Sequence, residues 1–132
     1  MKVLNFLIIL FFIALLLTEC DDSTNITQID DVIIPSANVS YAKYIQPVFN
    51  AKCNYSGCHD DGTKAGGLSL TTWANTTSDY LVVAPGFPDN SKLVWAIKGQ
   101  STSPMPPVGY YPLTKNQIDG IVTWIKEGAK KN

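Results

Sequence analysis

The run Cys53-Asn54-Tyr55-Ser56-Gly57-Cys58-His59 constrains this chain more than any other part of it. His59 is the only histidine, and Cys53 and Cys58 are two of just three cysteines. Two thiols and an imidazole this close together can hold a group from outside the polypeptide, and a chain that holds one must fold around it. The constraint is tight because the chain beyond residue 40 is short. A domain of that size buries a limited fraction of its surface, so a buried group bonded to the chain would add both apolar area and a cross-link.

Two cysteines followed at once by a histidine is the pattern of covalent haem attachment. The thiols add to the two vinyl groups, and the adjacent imidazole becomes an axial ligand of the iron. The usual pattern leaves two residues between the cysteines, whereas four stand here. The longer loop must still bring both sulfurs to adjacent vinyls while His59 turns under the iron. Ser56-Gly57 supplies a position free to take positive φ for that turn.

The remaining candidate ligands are few. Of the two methionines, Met1 starts the chain and Met105 sits in Ser103-Pro104-Met105-Pro106-Pro107. Flanking prolines restrict the backbone, which lowers the entropy cost of holding a weak thioether ligand. The inventory fits a His59/Met105 haem c on Cys53 and Cys58. Two other readings of the same residues stay open: a Cys53–Cys58 disulfide in a small exported interaction domain, and a soft-metal site in which Cys53, Cys58, His59 and Met105 hold copper. Zinc would want a further nitrogen, sulfur or carboxylate ligand. Met105 can also be read as apolar filler.

The N-terminus reads as a targeting segment. Lys2 precedes an apolar run over residues 3–17, interrupted only by Asn5. The run is short for a membrane span, which needs about 20 residues, and suits a signal-peptide core. Leu17-Thr18-Glu19-Cys20 resembles a bacterial lipoprotein box, with residues 1–19 as signal peptide and Cys20 lipidated; Glu19 departs from the small residue usual there. An uncleaved anchor gives the same topology, and cleavage elsewhere would release a soluble protein. The first two readings tether the domain to a bacterial membrane, facing the periplasm or the exterior, where unligated thiols oxidise.

Residues 20–40 read as a flexible tether, polar apart from Val32-Ile33-Ile34, an Ile-rich piece that can lie against the domain, with Pro35 breaking regular structure. The chain carries ten basic residues against eleven acidic ones, a net charge of −1. No basic cluster appears, so nucleic acid is not an expected partner.

Residues 41–132 read as all-α, with three to four helices and long loops packed round one haem. Apolar residues at 41, 44, 45, 48 and 49 repeat at helical spacing, Ser40 caps the start, and Pro47 predicts a kink. A short helix is expected near Trp73 and another over residues 92–98, closed by Gly99. The last helix has the clearest start: Thr114 with Gln117 three residues on forms a capping box. Ile118, Ile121, Val122 and Ile125 form its apolar stripe, with Trp124 at the edge. Tyr44, Phe49, Trp73, Trp95 and Trp124 are expected in the core or the haem pocket, with Trp124 near Tyr44 or Phe49.

The helix with Ile45-Gln46-Pro47-Val48-Phe49 and the run Cys58-His59-Asp60 resemble class I c-type cytochromes. More narrowly, Gly66-Gly67-Leu68-Ser69-Leu70, Pro85-Gly86-Phe87-Pro88-Asp89-Asn90-Ser91-Lys92-Leu93, Met105-Pro106-Pro107, Leu113-Thr114 and Trp124-Ile125-Lys126-Glu127-Gly128-Ala129 are similar to planctomycete-type cytochrome c domains. That resemblance implies one covalent haem c on Cys53 and Cys58, His59 proximal and Met105 distal. It implies one-electron transfer between redox protein partners rather than catalysis, because both axial positions are filled.

Overall fold

The computed structural model describes residues 25–132; the segment read as a signal peptide and Cys20 lie outside the described residues. Five α-helices follow one another: α1 (Ile26–Asp31), α2 (Gln46–Lys52), α3 (Trp73–Thr76), α4 (Lys92–Ile97) and α5 (Lys115–Lys126). No β-strand forms among the described residues, as expected of an all-α domain with long loops.

The helix expected before the cysteine motif forms in two parts. Ser40 caps it, its hydroxyl accepting from Lys43 N at 3.2 Å. A π-helical turn, Tyr41–Ile45, then passes into α2, with Pro47 in the first turn of the α-helical part. Proline lacks an N–H and its ring crowds the carbonyl four residues back. The wider turn accommodates both, and it sends the regular half of the helix straight into Cys53.

The centre of the core is Trp124, fully buried on α5 rather than at the edge of its stripe. Its ring lies 5.0 Å from that of Tyr41, which is in turn 6.4 Å from Phe49 in an edge-on arrangement. The aromatic partner on the helix leading to Cys53 is Tyr41, whose ring lies closest, rather than Tyr44 or Phe49. Both polar tips are satisfied: Trp124 Nε1 donates to Lys130 O, and the Tyr41 hydroxyl bonds Gln46 and Thr76. The capping box forms as expected, with Thr114 and Gln117 each bonding the other's backbone N–H.

Residues 25–40 are a packed part of the domain, which differs from the flexible tether expected there. Ile29, Ile34 and Val39 are buried in the main core. Asn116 on α5 clamps Ile34 from both sides: its Oδ1 accepts from Ile34 N at 2.8 Å and its Nδ2 donates to Ile34 O at 3.0 Å. The Glu127 carboxylate takes the N–H groups of Asn38 and Val39. Gly120 in mid-helix leaves room for this strap, since a Cβ there would stand 2.6 Å from Ile34 Cγ2. The polar composition misled because three well-spaced apolar residues are enough to dock a strap whose backbone finds side-chain partners.

Candidate functional site

Cys53, Cys58, His59 and Met105 line one cavity of about 320 Å³. That volume lies within the range of roughly 300–1,000 Å³ usual for cofactor pockets. Phe49, Leu68, Leu70, Leu93 and Ile97 give it apolar walls. The two cysteines are free thiols, not joined to each other.

The cysteine loop is a compact turn rather than an open bulge. Cys58 N donates to Tyr55 O at 2.9 Å, and His59 N reaches back to Cys53 O at 3.2 Å. Gly57 takes φ +88° at the tip, the positive value expected of this loop. A side chain there would meet nothing, so glycine is required by its backbone angle and not by crowding. Burial pushes the Cys53 thiol up to about 12, against the lowering pull of the neighbouring Lys52 charge, while Cys58 raises it further.

His59 is held by the extended run 68–70. Its carbonyl accepts from Leu70 N at 2.9 Å, and its Nδ1 lies 3.2 Å from Leu68 O. A carbonyl oxygen can only accept, so Nδ1 carries the proton and Nε2 is left with its lone pair. A carbonyl that accepts from one ring nitrogen fixes the imidazole's orientation and raises the basicity of the other. Asp61 braces the run 68–70: its Oδ1 accepts from Ser69 Oγ, Thr71 Oγ1 and Asn75 Nδ2 at 2.7, 2.9 and 3.1 Å. The Ser69 and Thr71 hydroxyls hold its carboxyl below the usual aspartate range.

Met105 belongs to the proline-rich loop after α4, tied there by a hydrogen bond from Met105 N to Ala96 O at 3.0 Å. The same helix contributes Leu93 and Ile97 to the cavity, so the thioether and the pocket wall share one support. The donor set, two thiols, one available imidazole nitrogen and one thioether around an apolar space, fits a haem bonded to Cys53 and Cys58. Gly57 and Gly66 also line the cavity and leave open space where a Cβ would stand.

Residues 56–109 match the family model of planctomycete cytochrome c. Over that stretch the chain is similar to planctomycete-type cytochrome c domains. That similarity points to a haem-binding electron carrier. The matched stretch contains Cys58, His59 and Met105; Cys53 and helix α2 precede it. No curated protein and no solved structure matches the chain.

Of the five aromatic residues expected in the core or pocket, only Phe49 lines the cavity. Trp124 forms the core centre, Tyr44 and Trp73 pack against the core, and Trp95 is largely exposed, its Nε1 donating to Asp89 O. Tyr55 and Tyr110 line the cavity instead. Lys52 was also missed. It precedes Cys53, is buried, and its ammonium donates to Asp30, to Pro112 O at 2.7 Å and to Gln117 Oε1 at 3.1 Å. In the sequence it is one surface-type lysine among ten basic residues, and Asp30 lies in the stretch read as tether. Only their meeting gives either a role.

Proposed function

We propose that the chain is a monohaem c-type cytochrome that carries one electron between redox protein partners at the outer face of a bacterial membrane. The observation that carries this reading is His59. Its Nδ1 is engaged by Leu68 O, which leaves Nε2 as a ligand in a cavity shared with Cys53, Cys58 and Met105. Cys53 and Cys58 would hold the haem through thioether bonds, and His59 and Met105 would ligate its iron. Bound haem supplies reversible one-electron chemistry at its iron. The protein's part is to fix both axial ligands on braced backbone and keep water away with Phe49, Leu70, Leu93 and Ile97. Methionine ligation favours the high-potential end of a respiratory chain.

Electrons would pass at the cavity mouth beside the Met105 loop, where Val108, Tyr110 and Tyr111 are exposed. Lipidated Cys20 would anchor the domain.

The test is the pyridine haemochrome spectrum of the full-length protein, made in a host with a haem-attachment system, after denaturation and solvent extraction. A c-type spectrum retained at one haem per chain supports the reading. Haem that extracts away, or never binds, refutes it and leaves the copper and disulfide alternatives.

A further inference from the structure

We propose that the Lys52–Asp30 ion pair tunes the reduction potential of the haem: the Lys52 charge favours the reduced state, and Asp30 partly offsets it. This rests on the haem reading above. Lys52 closes helix α2 one residue before Cys53 and lines the cavity. Its side chain is 0% exposed, whereas that of Asp30 is 37% exposed. All three ammonium N–H groups are used, on Asp30 Oδ1, Pro112 O and Gln117 Oε1. Gln117 Nε2 in turn donates to Asp30 Oδ1 at 3.0 Å and to Ile29 O at 3.3 Å.

Stability alone does not account for this arrangement. Two apolar residues of similar volume would hold α1 against α2 at least as well, because the desolvation of the Lys52 ammonium is roughly what its pairing with a half-exposed carboxylate gives back. A charge fixed beside an electron-accepting centre has a further effect. Reduction adds one negative charge, so a nearby cation stabilises the reduced form and a nearby anion the oxidised form. The two partners do not cancel. Water reaches Asp30 and screens its field, while the Lys52 field acts through the protein. The net field at the cavity is therefore positive. Lys52 and Asp30 act on the iron only through space, as tuning residues and not as ligands.

The test is the midpoint potential of the full-length haem-bearing protein by spectroelectrochemistry, for wild type, Lys52→Met, Asp30→Asn and the double variant, with thermal unfolding in parallel. Lys52→Met should lower the midpoint, by on the order of tenfold in the reduced-to-oxidised ratio, or ~59 mV for one electron. Asp30→Asn should raise it by less, and the double variant should lie between the two. A pair that is only a staple would lower the unfolding temperature without opposite potential shifts. Shifts of the same sign, or none, overturn the proposal. Should Lys52→Met fail to assemble, Asp30→Asn decides alone: an upward shift supports the proposal and any other result overturns it. A wild-type chain without covalent haem overturns the functional reading and this one with it, whereas unmoved potentials in haem-bearing variants overturn only this one.

Discussion

Replacing Gly120 by alanine should destabilise the domain even though it removes a glycine from the interior of helix α5. By helix propensity alone the change would stabilise by about 1 kcal/mol. The new Cβ would stand 2.6 Å from Ile34 Cγ2, 2.9 Å from Cδ1 and 3.1 Å from Cβ. Ile34 is 3% exposed and Asn116 grips its backbone at both polar atoms, so the side chain cannot swing clear without moving the strap. Overpacking of this kind costs about 1–3 kcal/mol. Expelling Ile34 instead would forfeit about 1.5–3 kcal/mol of burial and two hydrogen bonds at roughly 0.5–1.5 kcal/mol each, so the strap stays and strains. Set against the propensity gain, the net loss is roughly 1 kcal/mol. Urea unfolding of Gly120→Ala, Ile34→Ala and the double variant measures it. With Ile34 truncated the two closest atoms are gone and only its Cβ, at 3.1 Å, stays near the methyl, so the glycine replacement should then be neutral to stabilising, a coupling of about 1–2 kcal/mol between the sites. If Gly120→Ala stabilises the wild-type chain and adds independently to Ile34→Ala, the strap does not lie against α5 and the reasoning fails.

Met105→Ala should keep covalent haem while changing the axial-ligand absorption and lowering the midpoint potential; an unchanged spectrum and potential would remove Met105 from the iron. Trp124→Ala should cost about 3–5 kcal/mol, read from the urea midpoint, because it empties the fully buried centre of the core under Tyr41. Stability should hardly vary between about pH 5 and 7 and should fall as acid passes below about pH 4. For Asp30, desolvation pushes the carboxyl up, but the bonds from Lys52 and Gln117 and the Lys52 charge outweigh it; bonds from Thr63 and from Ser69 and Thr71 lower Asp60 and Asp61. A depressed folded value contributes stability that is present above the unfolded value and lost as pH falls through the folded one. A thermal-unfolding series across that range checks it, and a transition temperature that rises on acidification would contradict it.

Local chemistry made much of the site legible. Cys53, Cys58 and His59 are neighbours along the chain, so their proximity needs no tertiary information, and Met105 stood out because there is no other internal methionine. The capping box at Thr114 and Gln117 could be read for the same reason, since both partners lie within one helical turn. What supports the ligands could not be read this way. The Leu68 carbonyl that sets the His59 tautomer is a backbone group with no signature in side-chain identity. Of the aromatic residues expected inside, Trp95 alone is exposed, because burial depends on which face the neighbouring helix covers, which composition does not record.

The sequence by itself determined the helical class of the domain, its principal helices and the four side chains gathered at the cavity, because each rests on spacing within a few residues or on a count of rare residue types. Only the tertiary structure decided that residues 25–40 belong to the domain and that Asp30 meets Lys52 beside Cys53. Those contacts join positions 22 and more residues apart, and their energy comes from burial and from backbone groups finding partners on another helix. Such terms arise only once the chain has closed on itself.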